Sequence, residues 1–399
     1  MPNTAMTIVA PDPKADAERV IDLVAKVFGG YYRVRDWCRR NYVLHCHYDW
    51  NASRIGLIGD RIVTHYGVWD YEMQIGRARV RTGGIGAVAT DGDFRKRGLM
   101  DQTARASVEA MRATGYDFTM LFGIDNFYHR FGYTRSWSDT TYVVRAADLP
   151  AGKPPARLRK FLSPARDDIL RIYRREHAGM TGAAIRPTFT VEGFLNEMIG
   201  YAWLDARGRT AGYAMVKWQG NGPECFEAGG DVDEALRVLA ALARKRGFSE
   251  VRFTTILYGH PLAARLRRLN CREETNHHRS GGAMIRTVNL PSVLGKIAGE
   301  LESRLRGSVM ATWQGDLRIA DGREAAVLAI RRGKVRVGPA TRSKHAIVGG
   351  DEIAQFLIGT APPAEIAHGA GTRFTGDAAK LAEALFLEQH PGLCMADRY

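Results

Sequence analysis

The chain has 399 residues, of which 45% are apolar and 25% are charged, and this composition is typical of a folded protein. At roughly 100–200 residues per domain, the length predicts two or three domains. The composition excludes a disordered chain, a collagen and a coiled-coil rod. No run of about 18 apolar residues predicts a transmembrane helix, and the N-terminal segment lacks the pattern of a secretory signal, so we expect a cytoplasmic protein without a membrane partner.

The formal net charge is +14, and the excess is largest in residues 146–285, which carry 22 basic and 15 acidic side chains. A basic protein attracts nucleic acid or anionic small molecules. Because the excess is spread along the chain without a basic tail, we expect no nucleic-acid partner and favour an anionic cofactor. The five cysteines are scattered and form no CxxC pair, which indicates reduced thiols and no structural zinc site.

The first block, residues 1–148, is predicted to be a compact α/β domain. Apolar residues at helical spacing predict a helix that stops at Gly29-Gly30. Short strands follow over residues 54–90, with a hairpin turn at Gly59-Asp60. A strand over residues 85–90, a polar loop, a helix over 99–114 and a strand over 118–124 complete the block.

Two more domains are predicted after a linker near residue 150 that is rich in proline and basic residues. The second, residues 149–284, repeats the order of hairpin, helix, strand and helix. Its predicted elements are a helix from Ser163, a hairpin over 201–218, a helix over 231–247, a strand over 250–257 and a helix over 260–270. The third, residues 285–399, is predicted to be a small α+β domain.

The segment GAVATDGDFRKRGLM, residues 86–100, carries the sharpest chemical signal. It predicts a strand, a basic loop and a helix start. The free N–H groups of a helix N-terminus bind anions, and Gly98 would let the backbone approach a phosphate closely. The three cations Arg95, Lys96 and Arg97 suit a pyrophosphate or a 3′-phosphate. A solvated basic helix cap is the alternative interpretation.

RKRGLM at residues 95–100 and FYHRFGY at residues 127–133 resemble the motifs of the Eis (enhanced intracellular survival) acetyltransferases, which are GNAT-type enzymes that use acetyl-CoA. The resemblance covers the whole chain. It implies an α/β (α+β) fold class with tandem GNAT-like domains, of which the second lacks a cofactor loop. It also implies that the third domain has a fold like that of a sterol carrier protein.

The resemblance implies an acetyl-CoA site on a strand that splays from its neighbour and on the loop after it. Met100 stands where the general GNAT pattern has Gly or Ala, a mild departure among Eis-like proteins. The implied cofactor-binding residues are Ala87, Val88, Ala89, Arg95, Lys96, Arg97, Gly98, Leu99, Met100, Gly123 and Ile124.

The same resemblance implies two catalytic groups. Tyr128 matches the family's general acid, which fits the chemistry because a tyrosine, with a pKa of about 10, is protonated at neutral pH and can donate to a thiolate. The C-terminal α-carboxylate, here that of Tyr399, would be the general base, with its pKa raised by burial. Packing for Tyr128 and a frayed terminus for Tyr399 are the structural alternatives.

We therefore expect a direct acetyl transfer to a small amine, without a metal. The resemblance also implies a homo-oligomer, which in this family is commonly a hexamer. Arg398 and the basic net charge disfavour a polycationic aminoglycoside acceptor. His45 and His47 would share one face of a strand, but two ligands do not define a metal site. The segment around Trp37, Asp49 and Trp50 could line the acceptor pocket by family resemblance.

Two other functions remain open at this point. The third domain could bind a lipid or another apolar ligand, which would make the protein a carrier or sensor with a vestigial acetyltransferase core. The intact basic loop and Tyr128 argue against this. An enzyme that acetylates a protein lysine or N-terminus is the second alternative.

Overall fold

A computed structural model describes residues 5–39, 43, 47–124, 126–155, 157–161, 166–186, 198–220 and 222–398. The chain divides into two compact units. Unit 1 comprises residues 1–136 and 279–389, and unit 2 comprises residues 137–278 and 390–398. Helices and three mixed or antiparallel sheets alternate along the chain, so the predicted α/β class is confirmed.

The first sheet belongs to unit 1 and contains seven strands in its described part. They are β1 (Thr7–Val9), β2 (Arg54–Ile58), β3 (Arg61–Ile75), β4 (Ala78–Thr90), β5 (Phe118–Gly123), β6 (Thr134–Trp137) and β14 (Gly282–Thr287). Their order across the sheet is β1-β2-β3-β4-β5-β14-β6. The predicted turn at Gly59-Asp60 joins β2 to β3, and Gly59 supplies the positive φ of 58° that such a turn needs.

Seven helices of the described chain belong to unit 1. They are α1 (Ala17–Phe28), α2 (Tyr31–Trp37), α3 (Leu99–Ala113), α7 (Leu290–Arg306), α8 (Ile353–Ile358), α9 (Pro363–Ala370) and α10 (Ala378–Leu385). Helix α3 buries Met100, Ala104, Val108 and Met111, which recur at three- and four-residue spacing and so lie on one face. That face packs into the core cluster that also contains Ile85 of β4.

The third sheet also belongs to unit 1. Its strands are β15 (Gly315–Ala320), β16 (Ala325–Arg331), β17 (Lys334–Gly338), β18 (His345–Val348) and β19 (Arg373–Thr375). Their order is β17-β16-β15-β18-β19. The fully buried Asp117, just before β5, accepts hydrogen bonds from Ser292 Oγ (2.6 Å) and from Lys296 Nζ of α7. A buried carboxylate needs such partners, so this contact fixes α7 against the first sheet.

Unit 2 contains the second sheet, with seven strands in its described part. They are β7 (Asp139–Arg145), β8 (Leu158–Phe161), β9 (Ile199–Leu204), β10 (Thr210–Gln219), β11 (Gly222–Gly229), β12 (Glu250–Thr254) and β13 (Cys271–Asn276). Their order is β13-β7-β12-β11-β10-β9-β8. The helices are α4 (Asp167–Glu176), α5 (Val232–Lys245) and α6 (Pro261–Leu266).

Two strands lie in a different sheet from their neighbours in sequence. Strand β7, within the first predicted block, pairs with β12 and β13 of the second sheet. Strand β14 spans the predicted limit at 284/285 and pairs with β5 in the first sheet. The division into three domains at 148/149 and 284/285 stays a prediction. Strands β7 and β14 each pair with a sheet formed mainly by a different predicted block.

Helix boundaries differ from the prediction where local signals were ambiguous. The predicted helix start at Ser163 lies outside the described residues, and α4 is described from Asp167. Helix α6 ends at Leu266 although the apolar pattern predicts a helix to residue 270. No helix in the described part of the chain combines the length and the apolar character that crossing a bilayer requires.

Candidate active site

Strand β4 carries a bulge at the residues predicted to bind the cofactor. Its pairing with β3 shifts between His65–Ala89 and Gly67–Gly86, so Ala87 and Val88 together lie opposite Tyr66. Ala87 has a φ of 49°, in the left-handed region that non-glycine residues rarely adopt. A bulge of this kind bends the strand and changes the direction of its peptide groups.

The carbonyl oxygen of Ala87 is held by a buried histidine. His65 Nδ1 lies 2.8 Å from Ala87 O, and His65 Nε2 lies 2.7 Å from the Tyr48 hydroxyl. Burial lowers the pKa of His65 to about 4, so its ring is neutral at pH 7. Because a carbonyl only accepts, Nδ1 carries the proton and Tyr48 donates to Nε2. All three groups are thereby satisfied inside the core.

Strands β4 and β5 separate at the same level. They pair in parallel from Thr82–Phe118 to Ile85–Leu121, and within the described residues this pairing ends there. Beyond Ile85, β4 keeps β3 on one side and leaves its other edge without a strand. Unpaired backbone N–H and C=O groups at such an edge can bind an extended ligand as a strand would.

The basic loop that follows β4 is exposed. Arg95, Lys96, Arg97 and Gly98 all lie on the surface, whereas Met100 is buried in the core. Lys96 and Gly98 have positive φ angles of 61° and 71°. Gly98 is the N-cap of α3 and contributes no side-chain acceptor, so the first-turn N–H groups of the helix are available to an anion.

The start of the loop is fixed by a buried carboxylate. Asp91, which is 3% exposed, binds Arg61 Nη2 at 2.7 Å and Lys26 Nζ at 3.2 Å. Burial would raise the pKa of Asp91, but the hydrogen bonds from Arg61 and Lys26 hold it below its usual value. Asp91 therefore stays ionised, and its charge is neutralised by Arg61 and Lys26, neither of which belongs to the basic loop.

Tyr128 begins a short 3-10 turn, Tyr128–Phe131, and its side chain is 9% exposed. Its ring packs against Phe127, with centroids 4.9 Å apart, and Tyr133, at 6.0 Å. Within the described residues, its hydroxyl has no hydrogen-bond partner. Burial, with a smaller contribution from Tyr133, raises the pKa of Tyr128 well above 10. The group is thus a protonated donor without an acceptor among the residues that the structure describes.

The end of β5 contacts this tyrosine. An added Cβ at Gly123 would lie 2.8 Å from Tyr128 Cδ2 and 2.7 Å from Leu121 Cδ1, so a side chain at position 123 would displace the ring. Ile124, the next residue, is 58% exposed. An exposed isoleucine at the open end of two diverging strands offers an apolar surface for part of a ligand.

Unit 1 thus brings most predicted site residues into one region. Val88 and Phe127 pack at the edge of a core cluster that contains Met100 and Tyr128. Tyr399, the predicted base, lies outside the described residues, and so do His45 and Cys46. Asp49 is already engaged, since it accepts from the Tyr116 hydroxyl at 2.6 Å and from two backbone N–H groups.

Sequence patterns did not reveal His65 and Tyr48. Both lie in apolar strand surroundings, and a histidine there is most simply explained as a core residue. Their role becomes visible only in the structure, where Ala87 adopts a conformation that alanine rarely adopts and a buried polar partner can stabilise it.

Residues 11–136 match the family model for an acetyltransferase (GNAT) domain. The comparison with curated proteins gives no match. Three solved structures share the fold over nearly their whole length, each with low sequence identity. They are a GCN5-related N-acetyltransferase from Kribbella flavida (19% identity, TM-score 0.75, 99% of this chain and 98% of that chain), a probable N-acyltransferase from Enterococcus faecalis V583 (15%, 0.76, 99% and 100%) and Eis1 from Mycobacterium abscessus (15%, 0.66, 97% and 98%).

The solved structures confirm the predicted GNAT-like fold, and the family model supports the predicted enzyme class. The match to the family model covers the strand, loop, helix and tyrosine described above. The chain therefore carries an acetyltransferase domain of the GNAT type in its N-terminal third.

Proposed function

We propose that the protein transfers an acetyl group from acetyl-CoA to a small amine. The observation that carries this proposal is the divergence of β4 and β5 beside the bulge at Ala87. The open edge of β4 suits the amide groups of pantetheine. The exposed cations before α3 suit the phosphates of the same molecule, and Gly123 and Ile124 would complete its binding surface.

In the proposed reaction, the amine nitrogen attacks the thioester carbonyl, a C–N bond forms and the C–S bond breaks. Tyr128 O–H donates its proton to the departing thiolate of CoA. Burial raises the pKa of Tyr128, so its hydroxyl is protonated at neutral pH and is a hydrogen-bond donor to the departing thiolate. The amine proton passes to a general base, which we propose to be the α-carboxylate of Tyr399. Support for this base comes from the resemblance to the Eis enzymes.

The acceptor is proposed to be a small amine, with aminoglycosides among the candidates. Arg398 was expected to repel a polycation. Its guanidinium is paired with the carboxylate of Asp139, with Nη1 3.1 Å from Oδ2, so this charge is largely neutralised. The argument against a polycation then rests on the net charge of +14 alone.

The resemblance also supports three further proposals. These are a sterol-carrier-like fold for the third sheet with α7 to α10, a homohexamer, and a cytoplasmic location. The absence of a metal from the mechanism is likewise proposed on chemical grounds, since thioester aminolysis needs only an acid and a base.

The test is release of free thiol from acetyl-CoA with a panel of aminoglycosides, polyamines, amino acids and lysine peptides. The intact chain is compared with Tyr128→Phe and with a chain that lacks only Tyr399. We expect both variants to lose at least 10-fold in kcat while acetyl-CoA binding, measured by calorimetry, is retained. The amine with the highest kcat/KM identifies the acceptor class.

Each failure has a distinct meaning. Turnover only with lysine peptides would favour the protein acetyltransferase. An intact chain that does not bind acetyl-CoA would reject the proposed function and favour the lipid-carrier alternative. Full activity of the chain without Tyr399 would reject the C-terminal base but not the transferase.

A further inference from the structure

The second sheet repeats the strand divergence of the first. Strands β11 and β12 run parallel and pair at Glu224–Arg252 and Cys225–Phe253. Strand β11 continues to Gly229, and β12 ends at Thr254. This is the same arrangement as β4 and β5, which pair in parallel and then separate beside the candidate acetyl-CoA site. Unit 2 therefore has a cleft at the matching place in its own sheet.

The chain's own C-terminal segment lies in this cleft. The 3-10 turn Met395–Asp397 contacts β11. Ala396, which is 1% exposed, packs in a cluster with Tyr213 and Phe226 of the sheet. Cys394 packs with Tyr173 and Leu257 in a neighbouring cluster. The segment is thus buried like a core element although it stands at the end of the chain, where residues are usually poorly ordered.

A buried ion cluster holds the segment. Arg186 donates to Asp397 through Nε (2.7 Å to Oδ1) and Nη2 (2.9 Å to Oδ2). The same guanidinium donates to Glu227 through Nη1 (2.9 Å) and Nη2 (2.7 Å). All three side chains are at most 2% exposed. Charges at this depth are tolerated only when each is paired, so the cluster accepts one specific placement of Asp397.

Two tyrosines complete the hydrogen bonding of the cluster. Tyr213 donates to Glu227 Oε1 at 2.6 Å, and the Tyr173 hydroxyl lies between two acceptors, Ala184 O at 3.0 Å and Asp397 Oδ2 at 3.2 Å. The guanidinium also stacks over the Tyr173 ring at 3.7 Å from its centroid. Glu227, Cys394 and Asp397 have the side chains of a metal site. Both carboxylates already bind Arg186, however, so the cluster is explained as an ion-pair network.

Two further contacts fix the segment on either side of Asp397. Arg398 pairs with Asp139 at the first residue of β7. Gly392 donates its N–H to the carbonyl of Thr181 at 3.1 Å, and the backbones of Gly182 and Gly392 lie so close that a side chain at position 182 would collide. The segment is therefore held at three places along residues 392–398.

We infer that Arg186, Glu227 and Asp397 are positioning residues that set the place of the C-terminal carboxylate. Asp397 is fixed in the cleft of unit 2, two residues before Tyr399, whose α-carboxylate is the proposed base. The inference rests on the proposed function, in which that carboxylate is the general base.

The experiment compares Asp397→Ala with its conservative counterpart Asp397→Asn, in the full chain. Asp397→Ala removes the anchor and leaves Arg186 paired with Glu227, so no charge in the cluster is left without a partner and unit 2 keeps its core. Asp397→Asn keeps an acceptor for Arg186. Glu274→Ala is the matched control, because Glu274 binds Arg252 at 2.8 Å and Arg272 at 3.0 Å on the edge strand β13. Each variant is also made without Tyr399.

We expect Asp397→Ala to lower kcat at least 10-fold with less than a 2-fold change in the Kd of acetyl-CoA. Hydrogen exchange in residues 391–398 should become faster. Asp397→Asn and Glu274→Ala should stay within 3-fold of the parent in kcat. In the chain without Tyr399, Asp397→Ala should cause no further loss of the residual turnover, because both changes remove the same group.

The inference is overturned if Asp397→Ala keeps the parent kcat, or if it lowers residual turnover by the same factor with and without Tyr399. The second result would show a general effect on the fold. Other measurements test the proposed function itself. They are acetyl-CoA binding by the intact chain and the activities of Tyr128→Phe and of the chain without Tyr399. If Asp397→Ala does not fold, the hydrogen exchange and kcat of Arg186→Lys, which keeps the charge but loses the two-pronged contact, decide the same question.

Discussion

His65 donates its Nδ1 proton to the carbonyl oxygen of Ala87 at 2.8 Å, and Ala87 is the residue at which β4 adopts a left-handed conformation. The hydrogen bond from His65 thus stabilises the unusual backbone conformation of Ala87. Strain of this kind persists only when the surroundings enforce it. The bulge at Ala87 bends β4 where this strand separates from β5. The shape of the unpaired edge of β4 therefore depends on His65, a side chain of the neighbouring strand β3.

Replacing His65 by Ala should weaken acetyl-CoA binding about 5- to 50-fold. The carbonyl of Ala87 would lose its only side-chain donor in the described structure, and an unpaired buried acceptor costs about 1–3 kcal/mol. The strand would relax, and its free edge would no longer be preorganised. Titration calorimetry with acetyl-CoA measures the change.

His345→Ala is the control for general destabilisation of unit 1. His345 Nδ1 accepts from the backbone N–H of Asp377 at 2.8 Å in the third sheet, far in sequence from the bulge. It should lower the melting temperature without changing the Kd. Equal loss of affinity in both variants would mean that the bulge has no special role in binding.

Replacing Gly123 by Ala should lower kcat about 10- to 100-fold. The new Cβ would press on Tyr128 and also on Met284 Sδ, at 2.7 Å. A shift of even about 1 Å in a catalytic group can cost 100-fold in rate. Steady-state thiol release measures the effect, and acetyl-CoA affinity should change less than kcat.

Gly83→Ala provides the comparison for this overpacking. A Cβ at Gly83 on β4 would meet Met111 Sδ of α3 at 2.7 Å, and its next nearest neighbours are Val68 and Tyr116. Both substitutions should cost about 1–3 kcal/mol of stability, as overpacked cores do. An unchanged kcat in Gly123→Ala would argue that Tyr128 does not take part in the reaction.

Lys96→Ala and Arg95→Ala should each weaken acetyl-CoA binding about 3- to 10-fold. Both side chains are exposed at the start of α3, where they would meet phosphates. Exposed charge pairs are screened by salt, so the loss should shrink as ionic strength rises. The Kd measured between 50 and 500 mM salt should converge with that of the parent.

Arg336→Ala, an exposed cation on β17 of the third sheet, serves as the control for net charge. It should leave the Kd and its salt dependence unchanged. Acetyl-CoA without its 3′-phosphate shows whether a loop cation binds the pyrophosphate or the 3′-phosphate. Removal of a cation that binds the pyrophosphate should weaken the binding of acetyl-CoA with and without the 3′-phosphate by the same factor. A loop whose three cations can all be removed without effect would be a solvated helix cap.

The local part of the site could be predicted from sequence. The strand, basic loop and helix between Ile85 and Ala113 are set by near neighbours in the chain, and Gly98 occupies a position with a positive φ as expected of glycine. In the predicted second block, the hairpin of β9 and β10, helix α5, strand β12 and helix α6 occur in the predicted order, but strand β11 (Gly222–Gly229) was not among the predicted elements. Short-range periodicity and turn residues carry this information.

The bulge and the ion cluster could not be predicted in that way. Ala87 gives no sequence signal for a left-handed conformation. Arg186 pairs with Glu227 and Asp397, which are 41 and 211 residues away in sequence. The pairing of β14 with β5 of the first sheet was not predicted for the same reason. Pairing between strands so far apart in sequence depends on the folded core and not on neighbouring residues.

The ion cluster also makes a prediction for stability. Burial raises the pKa of Asp397 to about 6 despite the opposing charge of Arg186, which is shared with Glu227. Its usual value is about 3.9. A raised pKa in the folded state means that protonation stabilises the fold below the usual value, and that this contribution is lost as pH rises through about 6. Ionised Asp397 therefore destabilises the fold at pH 7.5 relative to its protonated form.

Asp397→Asn resembles the protonated carboxyl group at every pH and still accepts a hydrogen bond from Arg186. We expect it to be more stable than the parent by about 1–2 kcal/mol at pH 7.5, with the difference falling to near zero at pH 4. Urea unfolding of both chains at the two pH values, followed by circular dichroism, measures this. A variant that is less stable at pH 7.5 would show that Arg186 more than offsets the burial of Asp397, because the loss of the ion pair would then outweigh the relief of a buried charge.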